Sequence, residues 1–278
     1  MRQLFNDVSI RSSKMTTQAY STSFSLGIYC LNSKLHDAIY SIYGFVRFAD
    51  EIVDTFHEHD KETLLTEFRR DTFNAIDRGI SLNPILNSFQ MVVNEYNIDH
   101  ELIDCFLKSM EMDLDKNAHN QKSYEEYILG SAEVVGLMCL YVFTDGDKTE
   151  YEKLKPSAMR LGSAFQKVNF LRDMKSDYFE LGRMYFPSLN ISRFDEDAKK
   201  QIEKDIEADF DEALKGIRQL PTTSRFGVYV AYVYYKSLFK KIKALPSKKI
   251  MEERIRIPNL QKIGLLITSY FRIGIGQF

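Results

Sequence analysis

Four aspartates, in two separate stretches, are the residues best suited to chemistry. In "RFADEIVDTF" (47–56), Asp50 and Asp54 stand four apart, with Arg47 one turn before the first. In "QKVNFLRDMKSD" (166–177), Asp173 and Asp177 repeat the spacing, with Asn169 four residues earlier and Gln166 near it. On an α-helix, residues four apart share one face, about 6 Å apart along the axis. Two like charges there disfavour each other. Burial among Phe48, Ala49, Ile52, Val53 and Phe56 would add a desolvation cost. Glu51 is expected to point elsewhere, toward solvent. A lone pair of this kind reads most simply as a helix edge touching water. The second stripe (Gln166, Asn169, Asp173, Asp177), laid over Val168, Phe170, Leu171 and Met174 and flanked by Arg172 and Arg183, suggests two acidic faces that meet.

Four facing carboxylates repel strongly in a low-dielectric cavity, and a hard divalent cation is the economical remedy. Magnesium takes oxygen ligands and typically binds through a few carboxylates plus phosphate oxygens and water. Arg47, Arg172 and Arg183 would then hold diphosphate oxygens by bidentate hydrogen bonds. Two aromatic runs, "YSIYGFVRF" (40–48) and "RFGVYVAYVYY" (225–235), have two readings. Composition alone favours a large core without tryptophan. The other reading is an aromatic-lined apolar cavity able to steady a carbocation. With that lining, the implied substrate has a diphosphate head and a greasy tail.

The elements that must position these residues read as helices. Apolar residues recur at three- and four-residue spacing almost throughout, and strict alternation is rare. Helices are predicted near 10–30, 35–57, 62–78, 83–95, 99–114, 123–142, 149–179, 195–218, 222–244 and 254–272. The six prolines mostly fall at helix starts or in connections. "TDGDKTE" (144–150) and "PSLNIS" (187–192) read as loops. No repeat or Pro/Gly/Ser linker divides the 278 residues, so one all-α domain over 1–278 is expected, a helical bundle around a central apolar cavity.

Composition excludes several functions. Hydrophobic residues make up 44% and charged residues 27%, with a net charge of −2, so no basic field recruits nucleic acid. Cys30, Cys105 and Cys139 lie far apart with no metal-ligand spacing, which fits a reducing compartment. The amino terminus lacks an apolar h-region and no uninterrupted apolar run reaches membrane-span length, so a cytoplasmic location is expected. His36, His57, His59, His100 and His119 also lack metal-ligand spacing, and His57 and His59 are expected to be solvated. Glu125 and Glu126 read as the first turn of a helix after Ser123. The basic segment "KKIKALPSKK" (240–249) reads as a solvated helix end that is also able to touch anionic lipid.

The chain resembles the squalene/phytoene synthase family from about residue 15 to about 270. "YSTSFSLG" (20–27), "AIYSIYGFVRFADEIVD" (38–54) and "RLGSAFQKVNFLRDMKSDYFELGRMYFP" (160–187) are similar to its signature segments, in the same order and spacing. The resemblance implies an isoprenoid synthase fold and magnesium-dependent head-to-head condensation of two prenyl diphosphates, with manganese an admissible substitute. It further implies two geranylgeranyl diphosphates joined through a cyclopropylcarbinyl diphosphate to phytoene, as in carotenoid biosynthesis. Asp50 and Asp54 match the first aspartate-rich motif, and Asp173 and Asp177 match the second, with Asn169 beside them as a further metal ligand. Ser21, Ser23, Arg47, Gln166 and Asn169 match polar residues near the diphosphate. Tyr43, Tyr127 and Tyr235 align with tyrosines of the diphosphate region and cavity. One departure stands out. "SAEVVG" (131–136) carries Glu133 where the family has a glycine in a small-residue segment, which puts the cavity shape there in question.

Three rival readings stand beside this one. A squalene or dehydrosqualene synthase would use farnesyl diphosphate, and squalene formation would also need NADPH. A class I terpene cyclase would share the Asn169, Asp173, Asp177 spacing. Such cyclases carry adjacent aspartates in the first motif, however, and here Ala49 precedes Asp50. A non-catalytic assembly factor would have lost metal-binding aspartates, and all four are present. Prenyl chain length and oligomeric state are not set by one sequence. An insoluble product adds to the case for peripheral membrane contact.

Overall fold

The computed structural model describes residues 1–114, 120–180, 182–187 and 194–274. Among them it has thirteen α-helices, one π-helical turn and no strand. The helices are α1 (Arg2–Tyr20), α2 (Thr22–Tyr29), α3 (Ser33–Asp54), α4 (Lys61–Arg78), α5 (Pro84–Tyr96), α6 (His100–Met112) and α7 (Gln121–Ile128). The π-turn (Leu129–Glu133) leads into α8 (Val134–Phe143). Then follow α9 (Lys148–Phe179), α10 (Glu196–Gln219), α11 (Thr222–Lys243), α12 (Ser247–Ile250) and α13 (Asn259–Gly274). The expected all-α class holds.

The starts are written in the sequence. Asn32, Asp60, Asn83, Asp99, Asn120, Asp147 and Asp195 each accept a backbone N–H in the first turn of the helix they precede. Each such cap is worth about 1 kcal/mol. Asn120 and Ser123 close a reciprocal capping box, so the helix starts at Gln121, before Ser123, and Glu125 and Glu126 lie beyond its first turn rather than in it.

Four differences from the sequence pattern bear on the site. The helix expected over 10–30 is two helices, because Ser21 is extended (φ −144°, ψ 105°) and its Oγ caps α2 by accepting from the Phe24 N–H at 3.2 Å. The helix expected over 123–142 is interrupted by the π-turn. Pro156 lies inside α9 rather than at its start. Five residues of the final predicted helix are instead an irregular connection, which carries Arg254. Residues 188–192 of the predicted 187–192 loop, and His119, lie outside the described residues.

Two apolar clusters form the interior. One gathers α3, α4, α5, α6 and α8, centred on Phe45 stacked on Phe89 at 3.9 Å with Phe106 at 5.5 Å. The other gathers α9, α10 and α11 around Val168, Phe170, Phe210 and Phe239. A buried ionic group fastens α9 to α10. Lys167 Nζ donates to Asp209 at 2.7 Å and to Asp205 at 2.5 Å, and the Ser163 hydroxyl donates to Asp209 at 2.8 Å. Buried charges persist when paired in this way.

The stretch Gln121–Phe143 is long and apolar enough to cross a membrane by length and composition, with a mean hydropathy of 1.5 in its best window. Its sequence is still interrupted by Glu133, and Val134, Met138 and Val142 pack into the first apolar cluster. These contacts make it an interior helix of the bundle.

Candidate active site

A cavity of about 580 Å³ opens between the two apolar clusters. That volume falls within the roughly 300–1,000 Å³ typical of small-molecule sites. Every residue singled out in the sequence lines it: Ser21, Ser23, Tyr43, Arg47, Asp50, Asp54, Tyr127, Gln166, Asn169, Arg172, Asp173, Asp177, Arg183 and Tyr235. Helix α9 lines it along one face from Leu154 to Asp177, in steps of mostly three and four residues. The acids gather at one end of that face. Apolar and small residues (Leu161, Ala158, Leu154) occupy the other.

The acids do not face one another unaided. Arg183 Nη1 donates to Asp54 Oδ1 at 2.7 Å, and Arg183 Nη2 donates to the Asp113 carbonyl at 3.0 Å. Gly182, at φ +70°, makes the turn that aims Arg183 inward, and the Arg183 N–H donates to the Asp177 carbonyl at 2.7 Å. Arg172 grips Asp173 from the adjacent position, its Nε 3.0 Å from each carboxylate oxygen. Arg254 Nε reaches the same carboxylate at 2.7 Å. Arg47 lies 3.9 Å from Asp50, pairs more closely with Glu51, and stacks on the Tyr20 ring at 4.3 Å. Glu51 therefore does not point to solvent as expected, because it is the ion-pair partner of Arg47. Phe48 and Phe56, expected inside, are each 38% exposed, while Ala49, Ile52 and Val53 are buried.

Burial pushes the Asp50 carboxyl up to about 7, with Arg47 opposing the rise and Asp54 and Asp113 reinforcing it. Its side chain keeps 32% of its accessible surface and lines the cavity. Burial, reinforced by Asp173, likewise pushes Asp177 up to about 7. Burial also pushes the Tyr43 phenol, hydrogen-bonded to Ser21, up to about 12. Tyr235 donates to Asn169 Oδ1 at 3.3 Å, which fixes that amide beside the second acidic pair.

Sequence reasoning missed three residues of this mouth. Asp113, at the end of α6, accepts from the Tyr127 hydroxyl at 2.7 Å and the Tyr185 hydroxyl at 3.1 Å. Tyr185 follows Arg183 in the same irregular segment. Arg254 comes from the connection before α13. Asp113 has no acid four residues away to mark it, and Arg254 sat inside a predicted helix. Neither carried a local signal.

Glu133 does not narrow the cavity, whose wall there is Ser131, Ala132, Val135 and Gly136. The π-turn carries Glu133 past Gly162, where an added Cβ would lie 2.7 Å from the Ala132 carbonyl. Burial raises the Glu133 carboxyl, and Arg160 beside it lowers it. The aromatic runs divide between the two readings. Tyr43, Tyr234 and Tyr235 line the cavity, whereas Phe45, Tyr229 and Tyr232 are core. His57 is exposed, its Nδ1 2.8 Å from Lys61, and His59 is exposed as well.

Among the described residues, no three acidic, histidine or cysteine side chains converge on one point ready to hold a metal. The chemistry of the mouth nevertheless suits a divalent cation shared with a ligand. Six carboxyls (Asp50, Glu51, Asp54, Asp113, Asp173, Asp177) meet four guanidiniums (Arg47, Arg172, Arg183, Arg254), an excess of two acidic groups that a cation would help to ionise. Magnesium needs only one or two protein carboxylates when phosphate oxygens complete its shell. The buried Arg47 Nε, without a hydrogen-bond partner, offers a donor for such oxygens.

Comparison with known proteins agrees with this geometry. The squalene/phytoene synthase family model matches residues 17–261. The chain is 27% identical over 246 residues to phytoene synthase 1 of Solanum lycopersicum, covering 81% of this chain and 59% of that protein. It therefore spans about six tenths of that relative's length. It is 27% identical over 176 residues to the presqualene diphosphate synthase of Rhodopseudomonas palustris, covering 61% of this chain and 60% of that one. A dehydrosqualene synthase crystal structure with bound ligand superposes with a TM-score of 0.80 at 19% identity, covering 97% of this chain and 98% of that one. On the length of the family match, the chain belongs to the squalene/phytoene synthase family.

Proposed function

We propose that the protein condenses two prenyl diphosphates head to head, with geranylgeranyl diphosphate as substrate and phytoene as product. The observation that carries this reading is one cavity with both an acid-and-arginine mouth and a long apolar continuation. From Asn169 to Leu154 the lined face of α9 runs roughly 22 Å at 1.5 Å per residue. An extended chain of 16 carbons, built from bonds of about 1.5 Å, spans roughly 19 Å, and one of 12 carbons roughly 14 Å. The lined face is long enough to take the 16-carbon chain, which supports the C20 reading.

Asp50 and Asp54 on one side, and Asn169, Asp173 and Asp177 on the other, are the residues that would hold magnesium, or manganese in its place. A bound divalent cation supplies neutralising charge where the leaving diphosphate becomes more negative. The chain's own residues do the rest. Arg47, Arg172 and Arg183 bind diphosphate oxygens, and Ser21, Ser23 and Gln166 add hydrogen-bonding groups beside them. Departure of the first diphosphate leaves an allylic cation. The second substrate's double bond attacks it to give a cyclopropylcarbinyl diphosphate. Loss of that diphosphate, rearrangement and loss of a proton give the hydrocarbon. The apolar walls exclude water that would quench either cation. Tyr43, Phe165 and Tyr235 line the cavity as aromatic groups able to steady positive charge, Phe165 and Tyr235 as a stacked pair.

A second reading, the C15 condensation, is favoured by the likeness to dehydrosqualene synthase. Purified protein with magnesium and either geranylgeranyl or farnesyl diphosphate, with and without NADPH, separates the two. A C40 hydrocarbon made without NADPH is expected. A C30 product moves the assignment to the second reading, and a cyclic terpene overturns both.

A further inference from the structure

Among the described residues, Asp113 is the one buried acid of the mouth that belongs to neither aspartate pair. Its side chain is 5% exposed. It takes the Tyr127 hydroxyl on Oδ2 at 2.7 Å and the Tyr185 hydroxyl on Oδ1 at 3.1 Å. Arg183 Nε stands 3.6 Å from Oδ1, while its Nη2 donates to the Asp113 carbonyl at 3.0 Å. The two phenol rings lie 5.0 Å apart, and Tyr185 stacks on Phe170 at 4.2 Å, so none of these groups is free to swing. Asp113, Tyr127, Tyr185 and Arg183 all line the cavity.

A phenol has one hydrogen to give. When that hydrogen is committed to a carboxylate, the oxygen can offer only lone pairs to anything else nearby. A free phenol could turn its hydrogen toward the reacting chains and meet a cation with the wrong end of its dipole. Preorganised dipoles of the correct sign act most strongly in a cavity that excludes water. The same carboxylate keeps Arg183, and through it Asp54, at the mouth.

We infer that Asp113 is a positioning residue: by accepting the hydroxyl hydrogens of Tyr127 and Tyr185 it fixes their oxygens as electron-rich walls for the carbocations, and by holding Arg183 it sets one diphosphate contact. The inference rests on the condensation proposed above. It assigns no proton transfer to Asp113, which acts through the groups it orients.

The test is product partition rather than rate alone. Asp113→Asn keeps the shape but replaces one of the two accepting oxygens with an NH2 donor, so it reverses the hydrogen bond to one phenol and leaves the other in place. With geranylgeranyl diphosphate and magnesium, the variant should keep its helical circular dichroism. Its turnover should fall by roughly 10–100-fold, the range for groups that orient functional ones. Water-quenched prenyl alcohols should rise against hydrocarbon. Tyr127→Phe should shift the same ratio. The double variant should be little worse than the poorer single one, because the two act as one unit. If Asp113→Asn does not fold, Tyr185→Phe removes one of the two donors and should shift the ratio in the same direction, by less. An unchanged alcohol-to-hydrocarbon ratio in these variants, or effects of Asp113→Asn and Tyr127→Phe that simply multiply, overturns the inference while the wild-type condensation stands. A wild type that makes no hydrocarbon from either substrate removes the condensation and the inference together.

Discussion

The two aspartate pairs have the same spacing and different electrostatics. On α3 the second acid, Asp54, is neutralised, by an arginine 129 residues away. Burial raises Asp50, and the local Arg47, turned mainly to Glu51, only partly opposes the rise. On α9 the first acid, Asp173, is neutralised twice, by its neighbour Arg172 and by the distant Arg254. There the second acid, Asp177, is elevated, and among the described residues no ion pair within 4 Å engages it. Each helix thus offers one acid already paired with a cation and one that gains most from a new one. The spacing creates the shared face, burial raises one acid on each helix, and the arginines partner the other.

The largest expected effect comes from removing the elevated acids. Asp50→Ala or Asp177→Ala should lower turnover on the order of 10³-fold while helical circular dichroism stays unchanged. Asp54→Asn should cost less, and an equal loss would show that the asymmetry has no functional weight. Next, Arg183→Ala breaks the link between the two halves. It leaves Asp113 buried without its cation, so stability should drop by about 3 kcal/mol in denaturant titration, with turnover falling roughly 10²-fold.

A pH series sharpens the comparison further. Asp50 and Asp177 have folded-state values raised from the usual carboxylate range to about 7. Between those limits the folded chain binds more protons than the unfolded one, so stability falls as pH rises. Without divalent ions, the melting temperature should therefore increase from pH 8 to pH 6, and added magnesium should flatten that slope by favouring the ionised acids. A slope of the opposite sign would mean that these acids are not the elevated ones. The smallest effect belongs to Arg254→Ala. Its side chain is 51% exposed, so stability should change by less than about 1 kcal/mol, with a KM increase of a few fold in a steady-state assay.

What could be read beforehand follows the range of the interactions. The caps, the helical period and the DxxxD faces are local, so α3, α9 and most helix starts were visible in the chain. The break at Ser21 was not, because "AYSTSF" contains no proline or glycine and only the extended backbone of one serine separates α1 from α2. The π-turn was hidden for a similar reason. Gly130 lets it approach α6, where an added Cβ would lie 2.5 Å from Ser109 Cβ, and that closeness is a tertiary fact. Asp113, Tyr185 and Arg254 join the mouth through contacts between distant segments. A pattern search for paired acids has no means of finding a single acid whose partners are two phenols and a guanidinium.

The reach of Arg183 back to Asp54 has a consequence for how the chain matures. Helices such as α3 can form from their own turns, but contacts of long sequence separation must wait for loop closure and favour late assembly. During synthesis α3 emerges long before Arg183, and Arg183 before Arg254. The first acidic pair must therefore pass through a period in which only Arg47 moderates its charge. Closing the acid-and-arginine mouth thus depends on contacts of long sequence separation, with Arg183 and then Arg254 available in order of synthesis.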